Sequence, residues 1–247
     1  MNTLETPHTY GEVVAINVDI QNDFALPTGS LSVEDGEAVV PLANQINDYV
    51  RSQGGQVVFT QDWHPKETKH FAINHDHEEA GGPWPVHCVQ NKAGAALHDD
   101  LEVRVVDSIG HKGMDLEENA YSGWDAELVA GTLTALVEHL PAEERTVGRA
   151  VGLLATYATQ RREKLAIVVD GLATDYCDLA TALDALNNTD RDTVDVFIVT
   201  DAMRAVDVSE GDGDRAIQAM LDAKAIAITT QELINGGIVI DRTRLEY

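Results

Sequence analysis

Two cysteines, Cys88 and Cys177, are all that 247 residues contain. At most one disulfide is available, so a disulfide-stapled secreted scaffold is excluded. Basic residues are also scarce: 17 Lys and Arg stand against 42 Asp and Glu, a formal net charge of -25. Nucleic acid and anionic membrane surfaces are recognised through clustered Lys and Arg, so neither is an expected partner. No apolar run approaches the roughly 18–20 residues that a spanning helix needs. The opening "MNTLETPHTYGE" lacks a basic stretch followed by an apolar one and does not read as a secretory signal. With so few cysteines, this points to a reducing cytoplasm. The acid excess is spread along the chain, which fits a solvated, soluble surface; adaptation to high salt is the sharper alternative.

What is present is a 44% hydrophobic share, enough for a full core. Six short runs rich in Val and Ile read as buried strands: 13–20, 56–62, 101–108, 165–171, 194–201 and 225–230. Apolar residues at three- and four-residue spacing predict helices over 36–53, 125–140, 178–188 and 212–223. Strand alternating with helix predicts an α/β fold, a mostly parallel six-stranded sheet with helices on both faces. One domain over 1–247 is expected. Segment 141–164 reads as an extra helix after Pro141, with Val147, Val151, Leu154 and Tyr157 on one apolar face. It would either cover the core or serve as a lid or a contact in a homo-oligomer. Residues 63–100 are long, loop-like and rich in His, Pro and Gly, and loops of that length are usually functional.

Open parallel sheets bind ligands at the carboxyl ends of their strands. There the sequence places Asp19 and Asp23, then Asp62 and His64, then His111 and Lys112, and finally Cys177 in "GLATDYC". Cys177 precedes a helical pattern, where a thiolate is favoured, though a free cysteine is also a common packing residue. The small residues Gly171, Ala173 and Thr174 would let backbone N–H groups face a crevice as an oxyanion hole. Asp19 lies in an apolar strand, which is costly unless the carboxylate is paired or used. Asp23, in the following turn, suits a structural role better. Lys112 is either an exposed loop residue or a buried cation shared by a carboxylate and a thiol. Asp62 and His64 are two apart, so an extended backbone points both the same way. His70 and His87 could close on the same ion, and such donors suit zinc, iron or manganese. His75 and His77 read as solvated loop residues.

The ordered set "VDIQNDF", "DWHP", "WPVHC", "HKG" followed by "YSGW", and "GLATDYC" resembles the nicotinamidases of the isochorismatase-like cysteine hydrolase superfamily. The motifs span residues 13–206, with "VTDAMRAV" the most specific later piece. The resemblance implies a three-layer α/β/α fold and a triad of Asp19, Lys112 and Cys177. It implies an oxyanion hole from the N–H groups of Ala173 and Cys177, with a cis peptide at Leu172–Ala173. It also implies one divalent metal, zinc ahead of iron or manganese, on Asp62, His64 and His87, with His70 as a further ligand. That metal would meet the pyridine nitrogen of the substrate. Phe24, Trp84, Tyr121 and Tyr176 match positions that wall the ring, although core packing is their plainer role. The activity implied is hydrolysis of nicotinamide, and of pyrazinamide-like amides, through a cysteine thioester in NAD salvage. An amidase for ureido or carbamoyl substrates and a non-catalytic binding relative are the alternatives. The stretch "QNDFALPTGSL", the acidic, His-rich loop 71–82 and the length of 141–164 depart from the family pattern.

Overall fold

The computed structural model describes residues 8–74, 84–117 and 119–240. The chain runs β1 (His8–Tyr10), β2 (Glu12–Val18), α1 (Asn22–Ala25), α2 (Val40–Ser52), β3 (Gln56–Asp62), β4 (Ser108–Lys112), β5 (Glu127–Ala130), α3 (Thr134–Val137) and α4 (Val147–Gln160). It continues through β6 (Leu165–Leu172), α5 (Leu179–Asn187), β7 (Val194–Arg204), α6 (Asp212–Asp222), β8 (Ile226–Ile228) and β9 (Ile238–Ile240). The main sheet has seven strands in the order β5-β4-β3-β2-β6-β7-β8, and β1 pairs with β9 in a two-stranded sheet. All neighbours in the main sheet are parallel except β4 and β5.

The strands alternate as the pleat requires. In β2, Val13 and Ala15 pack toward α2, while Val14, Ile16 and Val18 pack toward α4 and α5. Strand β6 is buried along its whole length, as expected of a central strand covered on both faces. The sheet thus sits between two apolar layers. Val40, Ala43, Ile46 and Val50 of α2 anchor one layer. Val147, Ala150 and Val151 of α4, with Ala182 and Ala185 of α5, anchor the other.

Two sequence expectations are corrected. The run 101–108 is not a strand. Val105 is 99% exposed, and the carboxylate of Asp107 accepts the Arg104 main-chain N–H at 2.7 Å, which curls the segment into a turn. The strand begins only at Ser108, so His111 and Lys112 lie within β4 and not beyond its end. The segment 125–140 is not one helix. Its first part is β5, the seventh strand, which explains the excess over the six expected. Gly131 ends it with φ +90°, where a Cβ would fall 2.1 Å from the Asp107 carbonyl oxygen. Only Thr134–Val137 is α-helical there, so the apolar spacing of 125–140 spans a chain reversal.

Helix α4 does form after Pro141, beginning where the Thr146 hydroxyl accepts the Arg149 N–H. Val147 and Val151 are fully buried against the sheet, so the helix covers the core. Tyr157 leaves the predicted apolar face: it is 49% exposed and meets Arg161 instead. Among the described residues, no helix is long and apolar enough to cross a membrane. His75 and His77 lie outside the described residues.

Candidate active site

Parallel register brings the predicted residues together. Strands β3 and β4 place Asp62 directly opposite Lys112. Asp19 follows the end of β2 with φ +49°, and Cys177 lies in the π-turn Thr174–Asp178 that joins β6 to α5. The Lys112 Nζ is the hub. It lies 2.9 Å from Asp19 Oδ2 and 3.4 Å from Cys177 Sγ, and it also contacts Asp62 Oδ1 and, at 3.2 Å, the Ala120 carbonyl. The Thr60 hydroxyl donates to Asp19 Oδ1 at 2.7 Å. Lys112 is therefore the buried, shared cation and not an exposed loop residue.

The titration behaviour follows from this packing. Burial alone would lower the Lys112 pKa, but Asp19 and Asp62 outweigh it and hold the ammonium well above its usual range. Burial raises Asp19 above the ordinary carboxylate range, against the pull of Lys112. Burial also acts to raise Asp62, yet Lys112 and His64 overcome it and hold Asp62 well below that range. The Cys177 thiol is raised by burial, with Lys112 opposing and Asp19 adding to the rise. At rest the site therefore holds a protonated thiol beside a carboxylate of unusual basicity.

The turn bearing Cys177 is braced from outside. Thr181 donates to the Cys177 carbonyl at 2.6 Å and accepts the Gly123 N–H at 2.8 Å. The Leu172–Ala173 peptide is cis, as the resemblance implies. Gly171, at φ +133°, precedes it where a Cβ would lie 2.1 Å from the Val18 carbonyl oxygen, so β2 and β6 meet too closely there for a side chain. Ala173 and Cys177 both face the pocket described below.

A histidine cluster lies beside the hub. Ring nitrogens of His64, His70 and His87 fall within 4.8 Å of one another. Asp62 Oδ2 is 3.4 Å from His64 Nε2 and 3.7 Å from His87 Nε2. Each outer nitrogen is held: His64 Nδ1 by the Gly113 carbonyl at 2.9 Å, His87 Nδ1 by the Pro85 carbonyl at 2.7 Å, and His70 Nδ1 by Asn119 at 2.5 Å. Fixing the outer nitrogens turns the Nε2 atoms inward, the arrangement that metal-binding imidazoles use. Among the described residues, the buried His64 Nε2 has no hydrogen-bond partner, which is costly unless something binds it. Burial pushes His70 down to about 4, although Asn119 acts the other way, so its ring is neutral near pH 7. Three imidazoles and a carboxylate fit a divalent metal of the zinc, iron or manganese type.

The pocket above both groups has about 360 Å³ of free space open to solvent, and Phe24, Trp84, Tyr121 and Tyr176 all line it. Trp84 Nε1 donates to Tyr121 Oη at 3.1 Å, and the Trp84 and Tyr176 rings meet edge to face at 4.8 Å. Sequence reading missed two lining residues, Leu31 and Val206, whose place only the folded loops reveal. It also missed Thr60, Asn119 and Gln21, whose side chain brackets Asp62 through both main-chain groups. Asp23 takes the structural part: its carboxylate accepts the Cys88 N–H at 2.7 Å and the Ser30 N–H at 3.3 Å. His111 points away from Lys112 and stacks on Trp63 at 4.3 Å. Cys88 is free, buried and packed in the core.

The chain resembles known proteins over most of its length. The Isochorismatase domain model matches residues 13–134. The nicotinamidase of Escherichia coli (strain K12) is 33% identical over 221 residues, 86% of this chain and 92% of that protein. The solved PnC1 from L. infantum in complex with nicotinate shares 26% identity with a TM-score of 0.68, over 96% of this chain and 100% of that one. The pyrazinamidase of Pyrococcus horikoshii in complex with zinc shares 29% identity with a TM-score of 0.65, over 88% and 99%. With that likeness over nearly its whole length, the chain belongs to the nicotinamidases of the isochorismatase-like hydrolase superfamily.

Proposed function

We propose that this protein hydrolyses nicotinamide to nicotinate and ammonia, with pyrazinamide-like amides as further substrates, in a cytoplasmic route of NAD salvage. The observation that carries the reading is Lys112 Nζ standing within 3.4 Å of both Asp19 and Cys177 beneath an aromatic pocket. The relatives' substrates agree with it.

Asp19 takes the proton of the Cys177 thiol. Its raised pKa makes it a stronger base than an exposed carboxylate. Lys112 compensates the forming thiolate and remains protonated throughout. Sulfur attacks the carboxamide carbon, and the N–H groups of Ala173 and Cys177 receive the oxyanion; one such donor is worth roughly 10²–10³ in kcat. Asp19 returns its proton to the leaving nitrogen, the C–N bond breaks, and ammonia departs. Asp19 then deprotonates a water molecule, which attacks the thioester carbon. The C–S bond breaks, Asp19 returns that proton to the leaving sulfur, and the acid departs from the restored thiol. Phe24, Trp84, Tyr121 and Tyr176 hold the ring and exclude water. Asp62, His64, His87 and His70 would hold a metal ion, zinc in first place, which when bound supplies a Lewis-acid contact for the ring nitrogen and orients the substrate.

The test is ammonia release from nicotinamide by wild type and by Cys177→Ala, with and without a chelator. Wild type is expected to turn over, Cys177→Ala to fall to background, and chelation to raise KM. Metal-loaded wild type that releases no ammonia would contradict the substrate, and full activity in Cys177→Ala would contradict the nucleophile.

A further inference from the structure

The turn that carries Cys177 also grips a second segment that lines the pocket. Asp175 sits two residues before the nucleophile, and both of its carboxylate oxygens accept main-chain N–H groups from the segment after β7: Val206 at 2.8 Å and Asp207 at 2.9 Å. Adjacent N–H groups closing on one carboxylate make a charge-assisted, two-point clasp. Val206 lines the pocket together with Cys177 and Ala173. Asp207 has φ +52°, and its carboxylate accepts the Gly213 N–H in the first turn of α6 at 2.8 Å. There the packing is close, since a Cβ on Gly213 would lie 2.6 Å from the Ala205 Cβ. One continuous set of bonds therefore joins the nucleophile's turn, the Val206 wall and the start of α6.

We propose that Asp175 is a positioning residue that fixes the Val206 wall at a set distance from Cys177, and so determines which substituents a substrate ring can carry on that side. The inference rests on the proposed amidase reading for its ligand, a flat pyridine carboxamide, but its structural half does not need turnover. Asp175 touches no reacting atom. Removing its carboxylate frees the wall without disturbing Lys112, Asp19 or the sulfur, so ring binding suffers more than bond breaking.

The test has a structural arm and a kinetic arm. In the structural arm, amide hydrogen exchange is measured at Val206 and Asp207. Both amides are expected to be protected in wild type and to lose that protection in Asp175→Ala, with Asp175→Asn intermediate because one acceptor oxygen remains. Unprotected amides in wild type would overturn the clasp, whatever the enzyme hydrolyses, and this reading is available even if the alanine variant does not fold. In the kinetic arm, nicotinamide and a ring-methylated nicotinamide are compared in wild type, Asp175→Ala, Val206→Ala and the double variant. Asp175→Ala is expected to raise KM for nicotinamide roughly tenfold while kcat changes by less than about threefold, as loss of a charge-assisted contact predicts. Val206→Ala is expected to narrow the preference for the unmethylated ring, and adding Asp175→Ala to it is expected to have little further effect. A fall in kcat at unchanged KM, or full additivity, would overturn the positioning role. Protected amides with no hydrolysis of either amide would contradict the substrate assignment while leaving the clasp intact.

Discussion

Two pairs of buried carboxylates stand at neighbouring strand ends and are treated in opposite ways. Asp19 and Asp62 share the Lys112 ammonium, and Thr60 and Gln21 bind around them. Asp170 and Asp178 are just as buried, yet none of their four carboxylate oxygens has a hydrogen-bond partner among the described residues. Asn17, opposite Asp170 on β2, gives its amide to Asn47 and to the Val58 carbonyl. Burial raises Asp170 well above the carboxylate range. It does the same to Asp178, helped by Asp170, Asp19 and Asp175, with Lys112 opposing. Other charges on nearby elements are engaged elsewhere: Asp201 binds Thr230, Arg204 binds main-chain carbonyls, and Asp212 pairs with Arg215. Burial is common to both pairs, so it does not decide the charge. What differs is the Lys112 ammonium, which with His64 overcomes burial at Asp62 and partly offsets it at Asp19. The pair with Lys112 provides the ionised Asp62 and the basic Asp19 that chemistry needs. The pair without a cation is driven toward the neutral acid, which spares Cys177 two more negative neighbours.

The comparison breaks most severely at Lys112. Lys112→Met would leave Asp19 and Asp62 without their cation. We expect a loss of about 3–5 kcal/mol in urea unfolding, as for other severed buried ion pairs, together with loss of ammonia release. Unfolding at the wild-type midpoint would contradict the central place given to the lysine.

The next largest effect concerns pH. Asp170 and Asp178 have folded pKa values above their unfolded ones, so the folded state holds more protons once pH passes about 4. Stability conferred by the neutral acids is then lost as pH rises, by up to about 1.4 kcal/mol per pH unit for each group. Asp62 has the opposite sign: its contribution is present above about pH 4 and disappears as pH falls through its depressed folded pKa. The double variant Asp170→Asn, Asp178→Asn should therefore gain on wild type steadily as pH increases. Unfolding curves that run parallel across pH would show that the two aspartates are ionised or otherwise compensated.

Smaller still is the effect of Thr60→Val, which removes two hydrogen bonds to Asp19, one donated to its carboxylate and one accepted from its main-chain N–H. A loss of about 1–2 kcal/mol is expected, with the acidic limb of kcat/KM displaced to higher pH because Asp19 becomes a weaker acid. An unmoved limb would mean that Asp19 is not the base.

Much of this was legible before folding, for physical reasons. Buried parallel strands must be rich in Val and Ile, so β2, β3, β6 and β7 were plain, and polar residues at their ends stood out as Asp19, Asp62, His64 and Cys177. Gly131 and Asp107 misled the reading because chain reversals there depend on contacts between segments distant in sequence. Leu31 and Val206 lie in stretches that stood out in the sequence, but their place on the pocket depends on the same kind of contact. Asp170 was not invisible. An aspartate closing the run "LAIVVD" is as costly as the one in "VVAINVD", and Asp178 beside Cys177 repeats the signal. What the sequence could not show is that the first pair meets a lysine and the second does not.

The most direct measurement is rapid acid quenching during turnover of nicotinamide, followed by mass spectrometry of the Cys177 peptide. A nicotinoyl thioester on Cys177 that forms in wild type and is absent in Cys177→Ala is predicted. Steady ammonia release with an unmodified Cys177 peptide at every quench time, or an adduct on another residue, would contradict it.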